Sequence, residues 1–313
     1  MTQSPVLVII FNRAESALKV IDALRLVKPE RVYINADGPR PHKAGEAELC
    51  TETRKAVVNA IDWPCDIKTR FLDENRGCGK ATSSGISWFF ETEEQGIIFD
   101  DDCVPHPDFF KFCDEILETY KDDTRVMHVS GNNFMRGQKV GDASFYWSNH
   151  ALVWGWATWK RAWQHFDINY RDFETFIANN EISNLFDDFI IRQYRLYHWK
   201  KLHKQRLTKP TSWAFAWSYA VYTNSGLCAN PNVNLVTNVG FGENATHQRL
   251  SSDPDSNLPT QSIGQISHPT HMVPAKNADR FVLKNHNLYS LKGIFWKVFY
   301  KAALSLKPLI RAS

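Results

Sequence analysis

A chain of 313 residues, 43% hydrophobic and 23% charged, has the proportions of a water-soluble globular protein with room for one large α/β domain, or one domain with an appendage. A formal charge of only +3 excludes a broad nucleic-acid footprint, so any basic surface is local and no nucleic-acid partner is expected. Six cysteines, Cys50, Cys65, Cys78, Cys103, Cys113 and Cys228, stand far apart without a C-x-x-C pair; this speaks against a zinc site or a secreted disulfide framework and fits reduced thiols in the cytoplasm. No charged segment leads into an apolar one at the start, and no apolar stretch is long enough for a bilayer, so neither a signal peptide nor a spanning helix is expected. The 11 Trp, 20 Phe and 10 Tyr either fill a core or stack on sugar faces; composition leaves both open.

In chain order, Pro5-Val-Leu-Val-Ile-Ile-Phe11 reads as a buried strand that ends on Asn12-Arg13, with helical spacing from Ala14 to Leu26. Arg31-Val-Tyr-Ile-Asn35 is a second strand, closing on Asp37-Gly38. A helix near 44–61, a strand near 67–72 and a helix reaching 90 repeat the unit. Strands and helices alternating at this rhythm predict an α/β fold, a mostly parallel sheet flanked by helices. No G-x-G-x-x-G follows the first strand, and Gly77-Cys-Gly-Lys80 is too short for a P-loop. Two glycines and a lysine before a helix are either an anion cradle or an ordinary turn.

Next comes Gly96-Ile-Ile-Phe-Asp-Asp-Asp-Cys-Val-Pro-His-Pro-Asp-Phe-Phe110, a short buried strand that ends on three consecutive carboxylates. Ligands of open α/β sheets bind beyond the carboxyl ends of strands. Asp100, Asp101 and Asp102 repel one another unless a cation holds them. Hard oxygen ligands in such a place suit Mg²⁺ or Mn²⁺ shared with substrate phosphates. The stretch therefore reads as a metal-diphosphate site rather than a solvated acidic turn.

A strand at 125–130 follows, then an aromatic-dense stretch at 145–159, mostly helical sequence from 161 to 202, a helix at 213–222, and an extended segment at 227–233 that leads to Asn234-Leu-Val-Thr-Asn-Val-Gly-Phe-Gly-Glu-Asn-Ala-Thr-His247. Residues 248–277 are rich in Ser, Pro, Asn and Thr and read as a loop. Residues 291–306 interleave apolar residues with Lys292, Lys297 and Lys301. Such a helix either lies on an anionic membrane surface or docks on the domain with its lysines in water.

Taken together, Asn12-Arg13, Asp37-Gly38, Asn75-x-Gly-Cys-Gly-Lys80, Phe99-Asp-Asp-Asp102 and Pro107-Asp-Phe-Phe110 resemble a GT-A glycosyltransferase. They are most similar to the N-acetylglucosaminyltransferase that starts N-glycan branching and to bacterial family-2-like sugar transferases. Trp154-Gly-Trp-Ala-Thr-Trp159 and the stretch ending at His247 fit the bacterial relatives. The resemblance covers roughly 4–250 and implies a GT-A domain at 1–250, with a nucleotide-sugar-binding half (1–130) and an acceptor half (131–250), then a polar loop and a basic C-terminal helix at 251–313. It implies a UDP-sugar donor, Mn²⁺ or Mg²⁺, inverting transfer to a glycan or lipid-linked acceptor, and a cytoplasmic location, peripheral on the membrane if the C-terminal helix binds it.

By the same resemblance, Phe11, Asn12, Arg13, Asp37, Asn75, Gly79, Lys80, Asp100 and Asp101 bind the nucleotide sugar. Asp37 would face the uracil base or ribose. Asp102, Asp100 and His247 would hold the metal, with a surface histidine as the other reading of His247. Trp154, Gly155, Trp156 and Trp217 would shape the donor-sugar or acceptor pocket, unless they are core. Inversion needs a base for the acceptor hydroxyl. The relatives carry an acid where this chain has Ala214. Three readings follow: an engineered inactive variant, a base supplied by Asp187, Asp188 or Glu243, or a non-catalytic pseudoenzyme that binds a nucleotide sugar or glycan. A sugar nucleotidyltransferase fits less well, because its Gly-rich Arg-Lys signature after the first strand is missing.

Overall fold

All five residues of the first strand, β1 (Val6–Ile10), are apolar and buried, the pattern of a strand covered on both faces. In the computed structural model, which describes residues 2–208, 212–240 and 255–287, β1 pairs in parallel with β2 (Arg31–Ala36) on one side and β4 (Gln95–Asp100) on the other. β3 (Asp66–Phe71) adds in parallel beyond β2 and forms one edge of the sheet. The second half of the sheet holds β6 (Val126–Ser130), β7 (Phe145–Ser148), β8 (Trp156–Trp159) and β9 (Leu227–Pro231), in the overall order β3-β2-β1-β4-β8-β6-β9-β7. β8 runs antiparallel to both β4 and β6, and β7 is antiparallel to β9, whereas β6 and β9 are parallel. A separate ribbon pairs β5 (Cys103–Pro105) with β10 (Val236–Asn238). The expected α/β class holds: a mostly parallel sheet with helices on both faces.

Alternation along β1 divides the core. Val6, Val8 and Ile10 face α1 (Ala14–Val27), α2 (Glu46–Asn59) and α4 (Pro107–Thr119), in a cluster with Val20, Leu24, Val57, Phe109 and Ile116. Leu7 and Ile9 face α3 (Gly77–Thr92) and α9 (Trp213–Thr223), among Ile86, Phe89, Trp213 and Trp217. The sequence expected to be mostly helical from 161 to 202 divides into α5 (Lys160–Trp163), α6 (Phe173–Ala178), α7 (Ile182–Leu185) and α8 (Phe189–Gln205). Helices α6 to α8 form a third cluster on the outer side of α9, through Phe173, Phe176, Trp199, Tyr219 and Tyr222.

Two expectations change. Gly77 to Lys80 are the first turn of α3 rather than a loop before it. The segment expected to run as loop to 277 closes on a helix, α10 (Lys276–Asn285), which buries Ala278 and Val282 against Phe134, Tyr146 and Leu152, and Leu283 in the cluster of Trp199 and Tyr222. Its three buried residues lie within six positions, too short a pattern to stand out in a polar sequence. No helix among the described residues is long and apolar enough to cross a membrane. The basic segment at 291–306 lies outside the described residues.

Candidate functional site

Strands β2, β1 and β4 are neighbours, so their carboxyl ends bring Asp37, Phe11-Asn12-Arg13 and Asp100-Asp101-Asp102 side by side. Asp100 is the last residue of β4, and Asp101 and Asp102 turn away from it. Asp101 is 3% exposed and accepts the Phe11 backbone N–H and an Arg13 N–H. Arg13 also donates to Asp102 Oδ2 at 2.9 Å. Asp102 Oδ1 accepts from Asn238 Nδ2 at 3.2 Å, and the Asp102 carbonyl accepts the Val239 N–H at 2.8 Å. Among the described residues, Arg13 thus pairs with two of the three adjacent carboxylates.

The electrostatics follow from that imbalance. Desolvation, then the charges of Asp102 and Asp101, push the half-buried Asp100 up to about 8. Desolvation also raises Asp101, with Arg13 opposing. Burial works against the Arg13 charge, and the fields of Asp101 and Asp102 overcome it, holding the guanidinium above its ordinary range.

Glycine is required beside Asp102. A Cβ on Gly240 would stand 2.0 Å from Asp102 Oδ2. At Gly155, φ is +67° and a Cβ would press on Val236 and Phe99, so this backbone crosses tightly over the start of β10 and the end of β4. Trp156 pairs with Ile98 of β4. Its ring stacks on Trp213 (5.5 Å) and on His128 (5.1 Å).

Several expected residues are engaged elsewhere. Asp37 Oδ1 accepts the backbone N–H of Gly38 (2.9 Å) and Arg76 (2.8 Å), and Oδ2 accepts from Gly77 N–H and Asn75 Nδ2 (both 3.0 Å). Four donors fill the acceptor positions of a carboxylate. Asp37, expected to face the base or ribose, instead closes the N-terminus of α3, and Asn75 ties the same turn to the Gly38 carbonyl at 2.8 Å. Trp156 and Trp217, expected at a sugar pocket, are 1% and 0% exposed. Trp217 donates its ring N–H to His128 Nδ1 at 3.1 Å, so its surface is spent on packing. Trp154 is half-buried, with its ring edge-on to Phe134 and its backbone N–H on Asn132 Oδ1 at 3.1 Å.

Asp188 accepts the N–H groups of Ile190 (3.0 Å) and Ile191 (3.1 Å) as the N-cap of α8, and pairs with Lys284 at 2.5 Å. Asp187 pairs with Lys276 at 3.8 Å. Both line a small cavity of about 50 Å³ with Asn149, which follows β7, three strands removed from β4's neighbour β8. The fold does not bring them to the end of β4. Gly79 is buried and Lys80 exposed in the first turn of α3. Glu243 and His247 lie outside the described residues.

Ala214 is in the first turn of α9, partly buried against the Trp156–Trp217 cluster. Helix α9 leads into β9, which is parallel to β6, so it starts at the carboxyl end of the sheet. Residue 214 therefore sits on the same end as the carboxylates. Sequence reasoning missed Glu46, Arg40 and Asn238. Glu46 accepts from Asn12 Nδ2 at 3.2 Å, and hydrogen bonds from Arg40 hold its carboxylate down at about 2. Arg40 in turn lies over the Phe11 ring, 5.5 Å from its centroid. No local pattern marks Glu46, whereas Asn238 falls inside the stretch that ends at His247.

Among the described residues no three His, Cys, Asp or Glu side chains converge as a metal cage. One observation nonetheless suits a divalent ion: among the described residues Asp101 Oδ2 is buried without a hydrogen-bond partner, beside the carboxylates of Asp100 and Asp102. Mg²⁺ is commonly held by one or two carboxylates, with substrate phosphates and water supplying the rest. The residues present fit that mode.

No protein-family profile matches the chain, and no curated protein matches its sequence. Solved structures with partial likeness include a UDP-glucose pyrophosphorylase complexed with UDP-glucose, 9% identical over 52% of this chain and 79% of that one, with a TM-score of 0.33. S. aureus TarS (residues 1–349) is 11% identical over 73% of this chain and 58% of its own, with a TM-score of 0.37. HddC from Yersinia pseudotuberculosis, complexed with GMP-PN, is 12% identical over 51% and 78%, with a TM-score of 0.32. Likenesses this remote leave the family open.

Proposed function

We propose that the chain is a metal-dependent, inverting glycosyltransferase that takes a hexosyl or N-acetylhexosaminyl group from a UDP-sugar to a glycan, polysaccharide or lipid-linked acceptor. The observation that carries this reading is the carboxylate triad at the end of β4, with Asp101 Oδ2 buried and unpartnered among the described residues and Asp100 and Asp102 beside it. Mn²⁺ or Mg²⁺ on Asp102 and Asp100 would neutralise the leaving nucleoside diphosphate. Arg13 fixes the orientation of Asp101 and Asp102 through its two hydrogen bonds. Asn238 and Gly240 hold the other side of Asp102. Lys80, exposed at the start of α3, would meet a phosphate oxygen of the donor. The proton acceptor for the incoming hydroxyl belongs at residue 214, where alanine has no basic group.

That alanine favours a second reading, a non-catalytic protein that binds a nucleotide sugar or glycan on the same fold. Both are tested by Mn²⁺-dependent binding and hydrolysis of UDP-sugars. The Asp102→Asn variant should bind donor at least tenfold more weakly with Mn²⁺ and unchanged without it; equal affinity in both would sink the metal assignment. Ala214→Asp should release UDP where the parent chain does not. If Ala214→Asp binds donor and still releases nothing to water or to acceptor extracts, the binding-protein reading stands.

A further inference from the structure

Helix α8 presents large apolar groups on two opposite sides. Its inner side buries Ile191 and Trp199 in the cluster shared with α9. Its outer side exposes Phe189 (63%) and Tyr197 (62%), and Leu207 (76%) follows in the next turn. Lys200, Lys201 and Lys204, all exposed, stand among them. At 3.6 residues per turn the five within α8 fall within roughly a third of the helix circumference, and Leu207 lies in the turn that follows. They make one stripe.

No Asp or Glu occurs from 189 to 208. The three lysines make no hydrogen bond or ion pair among the described residues. Asp187 and Asp188, which precede the helix, pair with Lys276 and Lys284 of α10. Among the described residues no carboxylate pairs with the lysines of the stripe.

Single exposed apolar residues are ordinary on a protein surface. A row of Phe, Tyr and Leu interleaved with unpaired lysines on one helix face is a different pattern. The rings and the leucine suit the boundary between headgroups and acyl chains, and long lysine stems let ammonium groups stay with phosphates. A protein partner fits less well, because lysine is depleted from protein interfaces in favour of Arg and buried aromatic anchors. We infer that the outer face of α8 docks on an anionic phospholipid bilayer. The contact needs neither the donor nor the metal.

The test is co-sedimentation of the full chain with phosphatidylcholine vesicles, with and without roughly a third phosphatidylglycerol. The chain should bind the anionic vesicles only, and high salt should weaken it. Replacing Lys200, Lys201 and Lys204 by Glu should lower partitioning by at least about a hundredfold, the loss expected from three lysines at an anionic surface. Phe189→Ser with Tyr197→Ser should cost about tenfold, and that part should persist in salt. A parallel Lys→Gln set guards against misfolding, and thermal midpoints of all sets should match the parent. No binding by the parent chain, equal binding to neutral vesicles, or undiminished binding by the charge variants would each overturn the assignment. The last outcome would place the membrane contact elsewhere on the chain.

Discussion

Both oxygens of Asp37 are committed to the first turn of α3, and this makes the residue structural before it is anything else. Replacing it with alanine orphans the N–H groups of Gly38, Arg76 and Gly77 together with the Asn75 amide. The Asp37→Ala variant should lose about 2–4 kcal/mol of stability, measured by urea unfolding. A variant of parental stability whose only defect is weaker donor binding would return Asp37 to the base-contact role that the resemblance implies. The sequence showed Asp37-Gly38 as a strand-ending turn. It could not show that residues 75 to 77 fold back onto it, because that closure depends on where β3 delivers the chain. The Asp100–Asp102 stretch was legible for the opposite reason: strand, carboxylates and helix start are contiguous.

Helix α8 shows the same split at the scale of an element. Its existence could be read from 161–202, but not its start, which the Asp188 cap sets. Asp188 was a candidate base for want of an acid at 214, and the fold assigns it to capping and to Lys284 instead. Asp188→Ala should therefore cost about 1–2 kcal/mol of stability. In an Ala214→Asp background it should leave donor hydrolysis unchanged; a hundredfold fall in turnover at full stability would make it catalytic after all. Helix α9 was placed correctly from its apolar run, whereas the burial of Trp217 was not foreseeable. A tryptophan facing a sugar and one facing a core give the same letter, and only the His128 partner decides between them.

For the whole molecule, the buried neutral histidines lower stability in acid, against the opposite effect of the raised carboxylates Asp100, Asp101 and Asp279. His128 accepts from Trp217 at Nδ1 and meets the Leu152 carbonyl with Nε2 at 2.9 Å, which requires the neutral ring. Burial lowers it from 6.5 to about 3. Between those values the unfolded chain binds a proton that the folded chain refuses, so stability falls as pH drops from about 6.5 toward 3, by up to about 1.4 kcal/mol per unit for this one group. His150, lowered by burial and by Arg195, acts in the same direction. Asp279, raised by burial to about 6, opposes them between its ordinary 3.8 and that value. The difference between the parent and His128→Leu isolates the contribution of His128. The variant should be less stable at pH 8, because the Trp217 N–H and Leu152 carbonyl lose their partner, and should lose less on acidification to pH 4.5. Urea midpoints that shift in parallel for both chains would show that His128 titrates normally.

The antiparallel strand β8 between β4 and β6 also sets an order of assembly. Until residues 156–159 arrive, β4 has one open edge, and residues 227–231 must still join β6 before the sheet is complete. Pairings this distant in sequence pay their loop-closure entropy before any contact rewards it. During synthesis the ribosome would therefore hold out a half-sheet, β3-β2-β1-β4, with one bare flank that ends in three carboxylates. Their repulsion is itself a guard, since a strand edge that terminates in like charges is a poor template for a second chain.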